Sequence, residues 1–189
     1  MKVKILKKTR FLLAAVSSLF FLGSCSNLYQ DLDKYEEYKR KFPLAKEFMP
    51  ELDTLTNYDN VNLYFWYDDY LGSGSLNLKV SYSEEHYEEE KIKVLNTYQF
   101  LTSPIKGNPG EKFDVIPEVK FYYREYCIQV VDNQKFYYCQ YFGMIAYSDS
   151  LKQICYLYNY TSDPLYIGTK EGGMQEYMKI YFRFEDEHK

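Results

Sequence analysis

Two stretches of this chain alternate side-chain character with a period of two. Val61, Leu63, Phe65 and Tyr67 fall on one side and Asn62, Tyr64, Trp66 and Asp68 on the other; Leu76, Leu78, Val80 and Tyr82 then alternate with Asn77, Lys79, Ser81 and Ser83. Successive side chains of a strand point to opposite faces, so this period dictates a sheet with one face turned to a core. Strand patterns resume at residues 118–131, 136–147 and 151–160. The loop 69–75, with Gly72-Ser73-Gly74, joins the first two strands as a hairpin, and Asp132-Asn133-Gln134 and Ser148-Asp149-Ser150 join the last three as an antiparallel meander.

Helical spacing brackets these strands. Leu28, Leu32, Tyr35, Lys39 and Phe42 recur at intervals of four and three, with acids early and Lys39-Arg40-Lys41 late, which predicts an amphipathic helix ending near Pro43 and a short turn from Pro43 to Phe48. Ser83 precedes a predicted helix over 84–98, with five Glu toward its positive end and Lys91 and Lys93 toward its negative end. Met174, Tyr177, Met178, Tyr181 and Phe182 predict a last helix, and the Pro- and Gly-containing 102–117 reads as loop. The expected fold is α+β: a single antiparallel sheet of about five strands, hairpin plus three-stranded meander, with helices packed on one face.

The first residues carry a different message. Lys2, Lys4, Lys7, Lys8 and Arg10 precede Phe11 to Leu22, in which only Ser17 and Ser18 are polar. A basic stretch followed by about a dozen apolar residues is too short to span a bilayer and has the form of a secretory signal. Leu22-Gly23-Ser24-Cys25 then resembles the lipobox of bacterial lipoproteins. The resemblance implies that the Cys25 thiol is diacylglycerated, that the chain is cut before it, and that acyl chains hold the protein on the extracytoplasmic side of the cell membrane. The expected divisions are therefore 1–24, the signal peptide; 25–57, the acylated Cys with a tether and N-terminal helices; and 58–189, the α+β domain.

Charge follows from that cut. Loss of residues 1–24 takes five of the 23 Lys+Arg and none of the 27 Asp+Glu, leaving a net charge of -9. So acidic a body repels phosphate backbones, and nucleic acid is not an expected partner.

Few residues offer chemistry. His86 and Glu90 stand four apart on one helical face, but no further ligand accompanies them, so neither a metal nor a cofactor is expected. No Gly-x-Ser-x-Gly elbow exists, and no catalytic residue is assigned. Three Cys remain besides Cys25. A three-residue turn at Asp132–Gln134 brings Cys127 opposite Cys139, where a disulfide is open to them in an oxidising compartment; a two-residue turn separates them.

The compositional outlier is 23 Tyr, all of them beyond residue 24. Tyr122, Tyr126, Tyr138, Tyr156 and Tyr158 lie on the predicted meander, and a row of phenols facing away from the helices suits glycan stacking or a protein interface. Tyr is also simply a good strand former. The body is similar to small uncharacterised lipoproteins of low-G+C Gram-positive bacteria through Tyr141-Phe142-Gly143-Met144-Ile145-Ala146-Tyr147 and Ile154-Cys155-Tyr156-Leu157-Tyr158, a resemblance that implies no activity. The expected function is a non-enzymatic, membrane-anchored binding protein that engages an envelope protein or glycan. The alternative is an immunity or inhibitor protein against a basic secreted toxin or wall hydrolase.

Overall fold

A computed structural model describes residues 27–107, 113–162, 167–169 and 172–182. Cys25 and the whole signal segment lie outside the described residues. Among the described residues nine strands and four α-helices form an α+β domain: β1 (Asn27–Tyr29), α1 (Tyr35–Arg40), α2 (Ala45–Phe48), β2 (Tyr58–Asp68), β3 (Ser73–Tyr82), α3 (Glu84–Thr97), β4 (Ile105–Lys106), β5 (Asp114–Ile116), β6 (Lys120–Tyr123), β7 (Tyr126–Val130), β8 (Tyr141–Ser148), β9 (Gln153–Tyr160) and α4 (Gly173–Phe182). The main sheet is antiparallel in the order β1-β2-β3-β9-β8-β7-β6, and β4 pairs with β5 separately.

The hairpin β2–β3 and the strands β8 and β9 form where the alternation predicts. Three features differ. The stretch 118–131 is two strands, β6 and β7, folded back at Arg124 with φ +52°. A tight turn without Gly, Asn or Asp carries no sequence signal, which is why it reads as one strand. The stretch 102–117 holds the small β4–β5 pair. And 27–57, expected as tether and N-terminal helices, holds helices but also a strand: β1 lies beside β2 with Asn27 opposite Tyr67, while Tyr35, Tyr38, Phe42, Ala45 and Phe48 are buried in the core.

Helices cover both faces of the sheet, not one. Phe65, Leu76, Tyr158 and Gly143 share a face, since Phe65 pairs with Leu76, Leu76 with Tyr158 and Tyr158 with Gly143. On that face Tyr38 stacks on Phe65 with centroids 4.2 Å apart, Phe42 and Phe48 each lie 6.0 Å from Tyr158, and Tyr98, just past α3, lies 6.3 Å from Tyr156. A methyl at Gly143 would stand 2.7 Å from the Phe48 ring, so only glycine lets α2 sit this close. On the opposite face α4 stacks Tyr177 on Phe142 at 5.7 Å and sets Tyr181 edge-on to Trp66 at 6.3 Å. The polar alternation of β3 reads as a wet face, yet Ser75, Asn77 and Lys79 are all buried. The apolar stripe of α4, Met174, Tyr177, Met178 and Phe182, needs a partner surface, and this face supplies it.

Candidate functional site

The five candidate tyrosines do not make one surface. Tyr122 on β6 is 66% exposed, but Tyr126, Tyr156 and Tyr158 are buried and Tyr138 is half-buried. The binding-face expectation therefore fails for the three buried rings: α1, α2 and α3 cover the face that carries Tyr156 and Tyr158, and Tyr126 is buried on the opposite face, where it bonds Gln153.

The phenols have another task. The irregular segment between α1 and β2 leaves carbonyls that no strand or helix pairs, and buried carbonyls need donors. Tyr158 donates to Pro43 O; Tyr35 donates to Pro50 O at 2.8 Å; Tyr98 donates to Phe48 O at 2.8 Å. Tyr138 donates to Val131 O at 3.1 Å and accepts from Asn133 N at 3.0 Å, which holds the loop after β7. Tyr126 donates to the Gln153 side-chain oxygen, and Tyr87 to Asp149 at 2.7 Å. Burial raises the pKa of each of these hydroxyls; that of Tyr98 is pushed up to about 12. They stay protonated donors at any physiological pH.

Cys127 and Cys139 are not joined; Cys127, Cys139 and Cys155 are all free thiols. The turn expected at 132–134 is a longer loop, so Cys127 pairs with Tyr147 while Cys139 lies beyond the other end of β8. Tyr141 and Tyr147 are six residues apart along that strand, on the order of 20 Å, which no disulfide spans. Cys155 is fully buried and its thiol is pushed up to about 12 by desolvation, so it is inert as a nucleophile.

The loop that displaces Cys139 builds a site-like concavity among the described residues. Ile105, Lys106, Val115, Phe136, Tyr137, Tyr138 and Cys139 line a cavity of about 180 Å³. Phe136 forms its floor, wedged 6.1 Å from Phe48 and 6.0 Å from both Tyr138 and Tyr158. Tyr137 is 52% exposed, and Lys106, ion-paired to Asp114 at 2.9 Å, also lines the cavity. Small-molecule sites run to about 300–1,000 Å³, so this cavity takes a single ring or one anchoring side chain of a partner. Of the candidate tyrosines, Tyr138 alone lines it.

Sequence reasoning missed a second polar group. Asn77 and Asn159 are buried on the α4 face, and the Asn77 Oδ1 and both Asn159 side-chain heteroatoms have no hydrogen-bond partner. Lys79, on the same face, sits 5.6 Å over the Tyr64 ring, and desolvation lowers its pKa. Period-two alternation marks Asn77 and Lys79 as polar; nothing local shows that the helix beginning at Gly173 covers them.

Of the helical pair His86 and Glu90, the His86 Nδ1 has no hydrogen-bond partner, whereas Glu90 is held within the fold. Glu90 accepts from Thr56 at 3.1 Å and Lys93 at 3.0 Å, and Asp68 accepts from the backbone N–H groups of Tyr70 and Leu71. Among the described residues no group of three or more His, Cys, Asp or Glu is placed to hold a metal ion. Comparison with protein-family models, curated proteins and solved structures finds no match.

Proposed function

We propose that this chain is a lipid-anchored protein of the extracytoplasmic face of the cell membrane, and that its domain is a non-enzymatic binding module whose contact region is the Phe136–Cys139 cleft. The observation that carries the anchor is the lipobox at Cys25, which ends two residues before the first strand. Cleavage before Cys25 removes none of the described elements, so signal and fold occupy separate stretches of chain. Among the described residues no helix is long and apolar enough to cross a membrane; in this reading the anchor is the acyl chains on Cys25.

The binding half rests on the cleft. An apolar floor, an exposed aromatic rim and one ion pair are what the centre of a small protein interface offers, with Tyr137 as the ring a partner would cover. A photocrosslinker at Tyr137 in intact cells is expected to trap an envelope protein, and one at Tyr122 to trap none. Equal yields at the two positions would remove the cleft from the reading. The immunity or inhibitor alternative draws on the net charge of -9 and on Glu84, Glu85, Glu88 and Glu89, all exposed along α3. A basic toxin or wall hydrolase recovered on that helix, with crosslinking lost on Glu→Gln changes there, favours it.

A further inference from the structure

One backbone row crosses the sheet at a single end. Asn27 pairs with Tyr67, Tyr67 with Gly74, Gly74 with Tyr160, Tyr160 with Tyr141, and Tyr141 bridges to Tyr137. The far end is marked by the row Ser81, Gln153 and Ser148, with Glu84 and Glu85 just beyond. Gly74 and Ser81 are seven residues apart on β3, so the two ends stand roughly 23 Å apart.

Asn27 follows Cys25 by two positions, with only Ser26 between them. A residue adds at most about 3.6 Å of reach, so the Cys25 Cα lies within about 7 Å of that of Asn27, at the Tyr67 end of β2. A lipid on Cys25 therefore holds this end of the domain, and not the acidic one, against the bilayer.

The connection between β2 and β3 projects from the same end. Its apex carries Tyr70, 95% exposed, and Leu71, 51% exposed. These are not residues of a slack loop. Asp68 Oδ1 accepts from Tyr70 N at 2.9 Å and Leu71 N at 3.0 Å, and Ser162 Oγ donates to Leu71 O at 2.6 Å. Ser73 Oγ donates to Thr161 Oγ1 at 3.0 Å, and Gly72 takes φ +56° to close the turn. The turn is fixed by polar bonds, while Tyr70 stands almost wholly in solvent and Leu71 is half exposed.

From the chain length to Cys25 and this fixed turn, we propose that Tyr70 and Leu71 dock into the interfacial layer of the membrane that the Cys25 lipid occupies. The proposal rests on the lipoprotein reading above. Tyr suits the headgroup boundary, where the ring is apolar and the hydroxyl stays wet. The tether keeps the tip near the surface at high effective concentration, so two residues suffice for a contact that free protein would not make. Exposed Asp69 beside the tip gives no attraction for anionic lipid, so docking is indifferent to it or weakened by it. The row also places Tyr137, at the cleft, in the membrane-facing rim. Partners reached through the cleft are then ones held at the membrane surface.

The test uses the full chain, processed in cells, purified and reconstituted in phosphatidylcholine vesicles with brominated acyl chains. Trp66→Phe removes the only indole. Tyr70→Trp then places a reporter at the tip, and Leu151→Trp places one at the far end. The tip indole is expected to shift to the blue and lose most of its emission to bromine, and the far-end indole to keep its emission. If mass spectrometry shows the lipid on Cys25 but both indoles emit alike, the docking is overturned and the anchor stands. Absence of lipid from Cys25 overturns both. Quenching seen only when other membrane proteins are reconstituted assigns the tip to a protein partner and also overturns the proposal.

Discussion

Tyr158 donates its phenol hydrogen to the carbonyl oxygen of Pro43, 115 residues away in the chain. The same ring lies 6.0 Å from Phe42, Phe48 and Phe136, so one side chain supplies apolar area to the core and a donor to a carbonyl that no helix or strand reaches. Tyr35 and Tyr98 do the same for Pro50 and Phe48. This accounts for part of the tyrosine excess: the layer over β3, β9 and β8 is helices joined and ended by irregular chain, and tyrosine packs against that chain and satisfies its carbonyls at once.

Tyr158→Phe keeps the ring and removes the donor. It is expected to destabilise the domain by about 1–3 kcal/mol, the range for a buried acceptor left unpaired, as measured by denaturant unfolding. Tyr122→Phe on the exposed face of β6 should change stability by less than about 0.5 kcal/mol. A null result at Tyr158 would mean that the Pro43 carbonyl finds another donor.

Gly143→Ala sets a methyl against the Phe48 ring at 2.7 Å. Neither the strand nor the buried ring yields readily, so a loss of about 1–3 kcal/mol is expected. Combining it with Phe48→Leu should cost less than the sum of the two changes, since the smaller side chain vacates the contested space. Strict additivity would place α2 elsewhere.

Lys39 is fully buried and contacts Glu36 at 2.7 Å and Glu51 at 2.9 Å. The Lys39 ammonium holds the Glu51 carboxyl below its ordinary value of 4.5. A depressed carboxylate pKa stabilises the fold above the unfolded value and loses that contribution as pH falls through the folded one. Thermal stability should therefore fall as pH drops below 4.5, and Lys39→Met should flatten that part of the profile. An unchanged acid limb would show that the pair does not couple to folding.

The β2–β3 hairpin, α3, β8, β9 and the terminal helix are legible in the sequence because period two and period 3.6 are local signals. The turn at Arg124 is not, since its left-handed residue is an arginine and not the glycine or asparagine that marks such turns. Nor is the cover over Asn77 and Lys79, because alternation reports polarity and not what packs on it from far along the chain. The cleft was half visible: Tyr138 stood among the candidates, but its neighbours Ile105 and Val115 belong to a stretch read as plain loop. The disulfide expectation failed for one reason, a loop between β7 and β8 longer than the turn residues suggested.

Thiol counting tests that correction. Ellman's reagent on denatured protein should find three thiols, with Cys25 blocked by its thioether and no bridge between Cys127 and Cys139. In the native protein Cys139, which lines the cleft, should react before Cys155. One thiol in place of three would restore the bridge.

Intact mass of the protein extracted from membranes tests the anchor on which the function rests. The account predicts a chain that begins at Cys25 and carries diacylglyceryl mass on that residue, lost in Cys25→Ala together with membrane retention. A chain that still begins at Met1, or an unmodified Cys25 in the membrane fraction, would contradict it.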